Sequence, residues 1–345
     1  MLKFWYILFL LSFSRLVAEV WNVNGSAIWN NASSWNPATI PNASTAIATF
    51  GDINTSDISV FLNSNIDIHT INFDSDFSYS IENAISSPNA TLNIYSAINM
   101  APDTPVTTIA TPISFQQAIT ITQNSTSTLF LSNTITGSSN LIKSGPGKLS
   151  LTGINSTYSG AITLEHGIIE INDPSSIGTN TLTLGGATPN DITFSTVSSF
   201  SLSNPIHVSQ DVNISPTQGN LILAGPITGS AEITIIPGDD GNLTLDADNS
   251  GYEGRFNLAK GCIYLVNSNG LGPNDCTFTA ENGGILVVTN ISLNNNFILT
   301  GAGAIQIQTG AEATIAGQIS GAGTLVVQAP PGNLPGGTLV LTGTN

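Results

Sequence analysis

Gly147-Lys148-Leu149-Ser150-Leu151-Thr152-Gly153-Ile154-Asn155-Ser156-Thr157-Tyr158-Ser159-Gly160 lies without a gap over Gly241-Asn242-Leu243-Thr244-Leu245-Asp246-Ala247-Asp248-Asn249-Ser250-Gly251-Tyr252-Glu253-Gly254. The shift from Leu149 to Leu243 is 94 residues, and it persists through Gly167 over Gly261 and Gly178 over Gly272. A third copy opens at Gly337-Thr338-Leu339-Val340-Leu341 and stops in mid-motif at Asn345. Each copy has a similar lead-in, at 134–138, 226–230 and 318–322. Repetition at a fixed period is the mark of a stacked architecture, in which each unit buries its apolar face against its neighbours.

Outward from the motif, the chain reads as strands. Ile58-Ser59-Val60-Phe61-Leu62, Ala118-Ile119-Thr120-Ile121-Thr122 and Ile168-Ile169-Glu170-Ile171 alternate or cluster β-branched residues between Gly, Asn, Ser and Pro punctuation. No window carries a helical apolar stripe with caps. Short strands with no helix to cover them bury their apolar rows by coiling into rungs, which predicts an all-β, parallel β-solenoid of about 94-residue units. Gly and Asn are expected at the corners, where positive φ is needed, and stacked Asn and Thr as ladders between rungs.

Composition agrees. Of 345 residues, 6 are Lys or Arg and 22 Asp or Glu, and charged residues make up 8%. Asn, roughly one residue in ten, does the wetting with Ser, Thr and Gly. The missing basic footprint excludes nucleic acid as a partner. Two Cys and three His exclude a disulfide-dense scaffold and a His/Cys metal module, so no cofactor is expected.

Residues Leu141, Lys143, Gly145, Gly147, Leu149, Leu151, Gly153, Asn155, Tyr158, Gly160 and, after a spacer, Gly167 resemble the autotransporter-associated β-strand repeat. That pattern runs L-x-K-x-G-x-G-x-L-x-L-x-G-x-N-x-Y-x-G, and this copy has one extra residue before Tyr158. The copy carrying Leu243, Leu245, Asn249, Tyr252, Gly254 and Gly261 is more degenerate, with Pro237 in the Lys position. Trp21, Trp29, Trp35-Asn36, Pro41 and 46–51 resemble the entry module found ahead of such repeats. The resemblance implies a type V secretion passenger: a right-handed β-helix taken to a Gram-negative cell surface by a translocator barrel, acting as stalk or adhesin towards host-surface or matrix molecules. No room for barrel strands remains after the repeats, so the sequence reads as a fragment, a truncated product or a boundary inside a longer chain.

The N-terminus supports export. Lys3, the apolar run 4–13 and the small residue Ala18 before Glu19 read as a signal peptide cleaved between Ala18 and Glu19. The expected organisation is therefore signal 1–18, entry and cap region 19–114, and repeat-bearing solenoid 115–345, with units 134–225, 226–317 and an incomplete 318–345. Cleavage leaves four cations against 22 acids, a charge of 4 − 22 = −18, which disfavours direct binding to anionic membranes.

Sites of chemistry are sparse. Asp246-Ala247-Asp248-Asn249-Ser250-Gly251 starts like a calcium loop but has Asn257 at the twelfth position instead of Glu. Asp239-Asp240 sits between glycines without a β-roll pattern. Cys262 and Cys276 overlay apolar positions and read as two core thiols, with a disulfide across one rung as the alternative. His69, His166 and His207 have no partners at catalytic spacing, and no Gly-x-Ser-x-Gly elbow occurs. Asp74 and Asp76 are a carboxylate pair for a polysaccharide-acting enzyme, and the three tryptophans a platform for a carbohydrate-binding module. Against both stands a non-enzymatic stack whose tryptophans cover its first open rung.

Overall fold

The computed structural model describes residues 17–154, 157–187, 191–279, 283–328 and 336–344. Among them the helical segments are two short 3₁₀ turns, Ala32–Ser34 and Pro174–Ile177, and all else regular is strand. Strand residues alternate burial with period two, as in Ile58–Leu62, where Ile58, Val60 and Leu62 point inward. The inward rows stack into one continuous apolar core.

One sheet of fourteen strands, from Ala27–Ile28 to Ile319–Ser320, takes one strand from each turn. Its parallel register measures the turn. Leu149 stands beside Ile169, then Phe194, Ile214, Ile235 and Leu258, in steps of 20 to 25 residues. Fourteen strands at about 4.8 Å spacing make a stack roughly 60 Å long. The chain is a parallel β-solenoid.

The remaining walls share an origin. Ala43–Gly51, Ile66–Asp74 and Leu92–Met100 are nine residues long, and register shifts between Ala43/Ile47 and Ile68/Thr70 bend them. One turn later the bend becomes a break, because Ile113–Phe115 and Ile119–Gln123 both pair with Leu92–Met100. From here a turn has three walls. The first begins at Ile113–Phe115 and Ile135–Thr136, and is resumed at Phe200–Leu202 by a seven-stranded sheet ending at Thr324–Gln328. The second continues from Ile119–Gln123 to Ile227–Gly229 and is resumed at Ile291–Leu293 by a three-stranded sheet ending at Thr338–Leu341. The fourteen-stranded sheet is the third wall.

Corners explain the Asn content. Backbone N–H groups of Asp67, Thr91, Ala161, Glu312 and Gln318 donate to the side-chain oxygens of Asn42, Asn65, Asn140, Asn290 and Asn296, each one turn back, at 2.8–3.1 Å. The Asn side chain thus supplies the acceptor that a tight corner takes from the backbone ladder. Positive φ at the corners is met by glycines such as Gly145 (79°) and Gly167 (82°). An expected polar ladder is present: Asn99 donates to Asn72 at 2.9 Å and Asn72 to Thr49 at 3.3 Å.

At the N-terminal end, Trp35–Asn36 lies antiparallel on Val17–Trp21, the one antiparallel pairing among the described residues. Trp21, Trp29 and Trp35 pack edge to face with ring centroids 5.0–5.1 Å apart and rest on Phe50. All three are fully buried, and their indole N–H groups donate to the carbonyls of Val23, Pro41 and Trp29. The tryptophans fill the end of the stack and present no ring face to solvent, which removes the carbohydrate platform.

Candidate functional site: the repeat motif and its buried loops

In the first copy the motif wraps more than one turn. Leu141–Ser144 lies on the second wall and Lys148–Leu151 on the third, with Gly145 and Gly147 at the corner between them. Lys143 points inward and is fully buried. Its ammonium donates to the carbonyls of Ser144 (3.1 Å), Gly145 (2.7 Å) and, from the following turn, His166 (3.1 Å). All three protons are used, and burial pushes the group down to about 7. The clamp holds the corner and ties it to the next turn.

Beyond Leu151 the first wall has no strand among the described residues. A loop replaces it and turns Tyr158 inward, whose hydroxyl donates to Ser139 O of the preceding turn at 2.8 Å. Asn155 lies outside the described residues. A Cβ at Gly160 would collide with that same carbonyl and with the Tyr158 hydroxyl, so the loop closes only over glycine. The chain then re-enters the second wall at Ile162–Leu164 and the third at Gly167–Ile171.

The second copy repeats the loop on another wall. Asp240–Leu245, carrying Leu243 and Leu245, belongs to the first wall, and Tyr252 takes a place beside Gly229 of the second. Its hydroxyl donates to Ala231 O at 2.6 Å, and a Cβ at Gly254 would meet that carbonyl and the hydroxyl. Asn249, fully buried, stands in for a missing peptide: its Oδ1 accepts from Ile227 N–H (2.8 Å) of the preceding turn, and its Nδ2 donates to Gly270 O (2.7 Å) of the next. Burial pushes the phenols of Tyr158 and Tyr252 well above their ordinary value. Pro237, in the Lys143 position, packs at the Gly261 corner.

The 94-residue shift is therefore not a whole number of turns. Four turns from Leu149, through Ile169, Phe194 and Ile214, reach Ile235 on the same wall, and eight residues more reach Leu243 on the next. Leu339 of the third copy lies on the second wall. Each copy steps one wall around the axis.

Two buried residues escape the sequence reading. Asn204 donates to Gly178 O (3.2 Å) and Asn180 O (2.7 Å), and Asn295 to Gly272 O (2.9 Å) and Asn274 O (2.6 Å). Asn180 in turn reaches Ser159 O, and Asn274 reaches Glu253 O at 2.5 Å. The visible signal is the recurrence of Gly178-Thr179-Asn180 as Gly272-Pro273-Asn274, each followed one turn later by an Asn just beyond a short apolar strand.

Residues 141–171 match the passenger-associated-transport-repeat. The match covers the first copy's corner, loop and re-entry, and ends where Gly167–Ile171 ends. No curated protein and no solved structure matches the chain. The passenger repeat thus corresponds to a physical object, a Lys-clamped corner followed by a Tyr-plugged loop.

Elsewhere the candidate chemistry disperses. Cys262 and Cys276 are free thiols on different walls: Cys276 faces the core from the third, whereas Cys262 lies in the outward row of the first beside Gly284. That placement leaves no disulfide across a rung, and Cys262 is not a core residue. Burial raises the Cys262 thiol to about 11. Asp248 accepts from Ser250 N–H at 2.9 Å as a turn cap, and Asp239 pairs with Lys260 at 2.7 Å on the surface. Asp74 ends a strand while Asp76 lies in the turn beyond, its N–H bonded to Asp52. Among the described residues no three His, Cys, Asp or Glu side chains form a metal-holding group. Open hollows mark the surface, and two of them lie near candidate residues. One, of about 410 Å³, gathers Asp211, Glu232, Glu253 and Asp275 around Arg255, and the other, of about 530 Å³, has a floor of Gly284, Gly303 and Ala304.

At the expected cleavage point, Ala18 pairs with Ile47 and Glu19 with Ala48 in the first turn. Glu19 is buried with Oε2 lacking a hydrogen-bond partner, and burial raises its carboxyl above the ordinary value. No helix among the described residues is long and apolar enough to cross a membrane.

Proposed function

We propose that the chain is a non-enzymatic passenger, exported to the surface of a Gram-negative cell by a translocator barrel and serving there as a stalk or adhesin-like spacer. The observation that supports this reading is the passenger repeat set in an unbroken stack, whose polar side chains are spent on holding turn to turn. Export begins with cleavage between Ala18 and Glu19; the mature chain has its entry and cap region at 19–114 and its repeat-bearing stack at 115–345. Its mechanism is mechanical. A stack roughly 60 Å long holds what lies beyond it away from the membrane, and shallow polar walls offer host-surface or matrix molecules many weak contacts. The acidic charge keeps neighbouring molecules apart.

The test is to express the chain ahead of a translocator barrel with an epitope tag in the loop around the fully exposed Ile85. The reading expects the tag to reach antibody on intact cells and the exported chain to begin at Glu19. Retention in the periplasm, or cleavage of any glycan in a panel by the purified chain, would overturn it.

A further inference from the structure

The solenoid has a problem of register that its core does not solve. Along the third wall the inward positions of successive turns are Ile169, Phe194, Ile214, Ile235, Leu258, Phe278 and Leu299, apolar throughout and all buried. A turn could be extruded as a loop and its neighbours paired directly, with one apolar row replacing another. The buried polar side chains break that equivalence. In the second copy, Tyr252 and Asn249 reach the turn before, Asn249 reaches the turn after, Asn274 reaches back from that turn, and Asn295 reaches back from the one beyond. Four consecutive turns are linked in order. The first copy has the same chain in Tyr158 to Ser139, Asn180 to Ser159 and Asn204 to Gly178 and Asn180, again over four turns.

We propose that these Tyr/Asn chains are register locks: they specify which turn follows which, and the motif's step of one wall per copy places each lock where a strand of a different wall is missing. A slipped turn keeps its apolar burial but strands several buried amides and a phenol, each aimed at a carbonyl no longer there. The lock thus selects the native order over alternatives that the core alone tolerates, as isolated buried polar groups fix register in other repetitive folds.

The test uses disulfide trapping in a Cys262→Ser/Cys276→Val background. Thr234 and Asn257 are partners on adjacent turns of the third wall, and Asn213 pairs with Thr234 one turn earlier. With Thr234→Cys/Asn257→Cys the native order closes a bond; with Asn213→Cys/Asn257→Cys two turns separate the thiols, about 9.6 Å of rise, and only a slipped chain closes it. Refolding under oxidising conditions with the lock intact is expected to trap the 234–257 pair and leave 213–257 open. Adding Asn249→Ala with Tyr252→Phe is expected to raise 213–257 trapping by about tenfold or more, the ratio given by about 1.4 kcal/mol. Tyr252→Phe alone, which keeps the ring, should give a smaller rise in the same direction. If the lock-free chain refolds with 213–257 still open, the proposal is overturned; if both pairs fall together through loss of the fold, the single variant decides, and an unchanged 213–257 yield there refutes it.

Discussion

The two copies of the motif make the same loop from different residues. In the first, Lys143 binds three carbonyls at the corner; in the second, Pro237 fills that place with no polar group at all. The Tyr and Gly of the loop are retained in both, with the hydroxyl on a carbonyl of the preceding turn at 2.8 and 2.6 Å. What is required is therefore the plug in the missing strand's place, whereas the corner can be held by a cation or by a rigid ring.

The largest effect is expected at the glycines that both loops share. Gly160→Ala and Gly254→Ala each drive a methyl group into backbone carbonyl and tyrosine hydroxyl, and each should cost about 3 kcal/mol in chemical denaturation. Unequal losses would mean that the two loops are not equivalent. Lys143→Met should cost a similar amount, because three carbonyls lose their donor in a dry site, while Pro237→Ala should cost about 1 kcal/mol or less.

Lys143 also sets a pH dependence that the second copy lacks. Its folded value lies near 7 against an unfolded value of 10.5, so above pH 7 the unfolded chain binds more protons and stability rises with pH. The raised thiols and phenols act oppositely above about pH 9, where unfolded Cys and then Tyr ionise first. The denaturation midpoint of the native chain, minus that of Lys143→Met, should therefore increase from pH 7 to 9. A flat difference would show that the three carbonyls hold the ammonium charged throughout.

Smaller effects follow. Tyr158→Phe and Tyr252→Phe should each lose about 1 kcal/mol, the net worth of one hydrogen bond to a carbonyl. Arg255→Gln breaks a partly exposed pair with Glu232 and should change stability by less than about 1 kcal/mol, an effect that salt weakens further.

Much of the fold was legible because its determinants are local. Alternation in stretches such as Ile58–Leu62 marks strands whatever they pack against, and the glycines of the motif sit where corners and loops forbid a side chain. The number of turns in 94 residues was not legible, since pairing joins residues 20 to 25 apart whose apolar character is alike. Lys143 was readable as a motif residue but not as a buried one, because lysine is ordinarily a surface residue and only the three carbonyls explain its place. Asn204 and Asn295 were hidden among many other asparagines, and their spacing of 91 differs from the motif's 94. Cys262 overlays the outward-facing Ile168, so an apolar counterpart did not imply a core position.

The physical unit is one turn, and the 94-residue motif moves from wall to wall. Thr163 tests it directly: it is paired with Thr183 on the adjacent turn of the second wall, whereas its motif equivalent, Asn257, lies on the third. In a Cys262→Ser/Cys276→Val background, the pair Thr163→Cys/Thr183→Cys should oxidise to an intramolecular disulfide and Thr163→Cys/Asn257→Cys should not. Closure of the 163–257 pair with 163–183 left open would mean that the repeats stack as whole 94-residue layers and that one turn is not the unit.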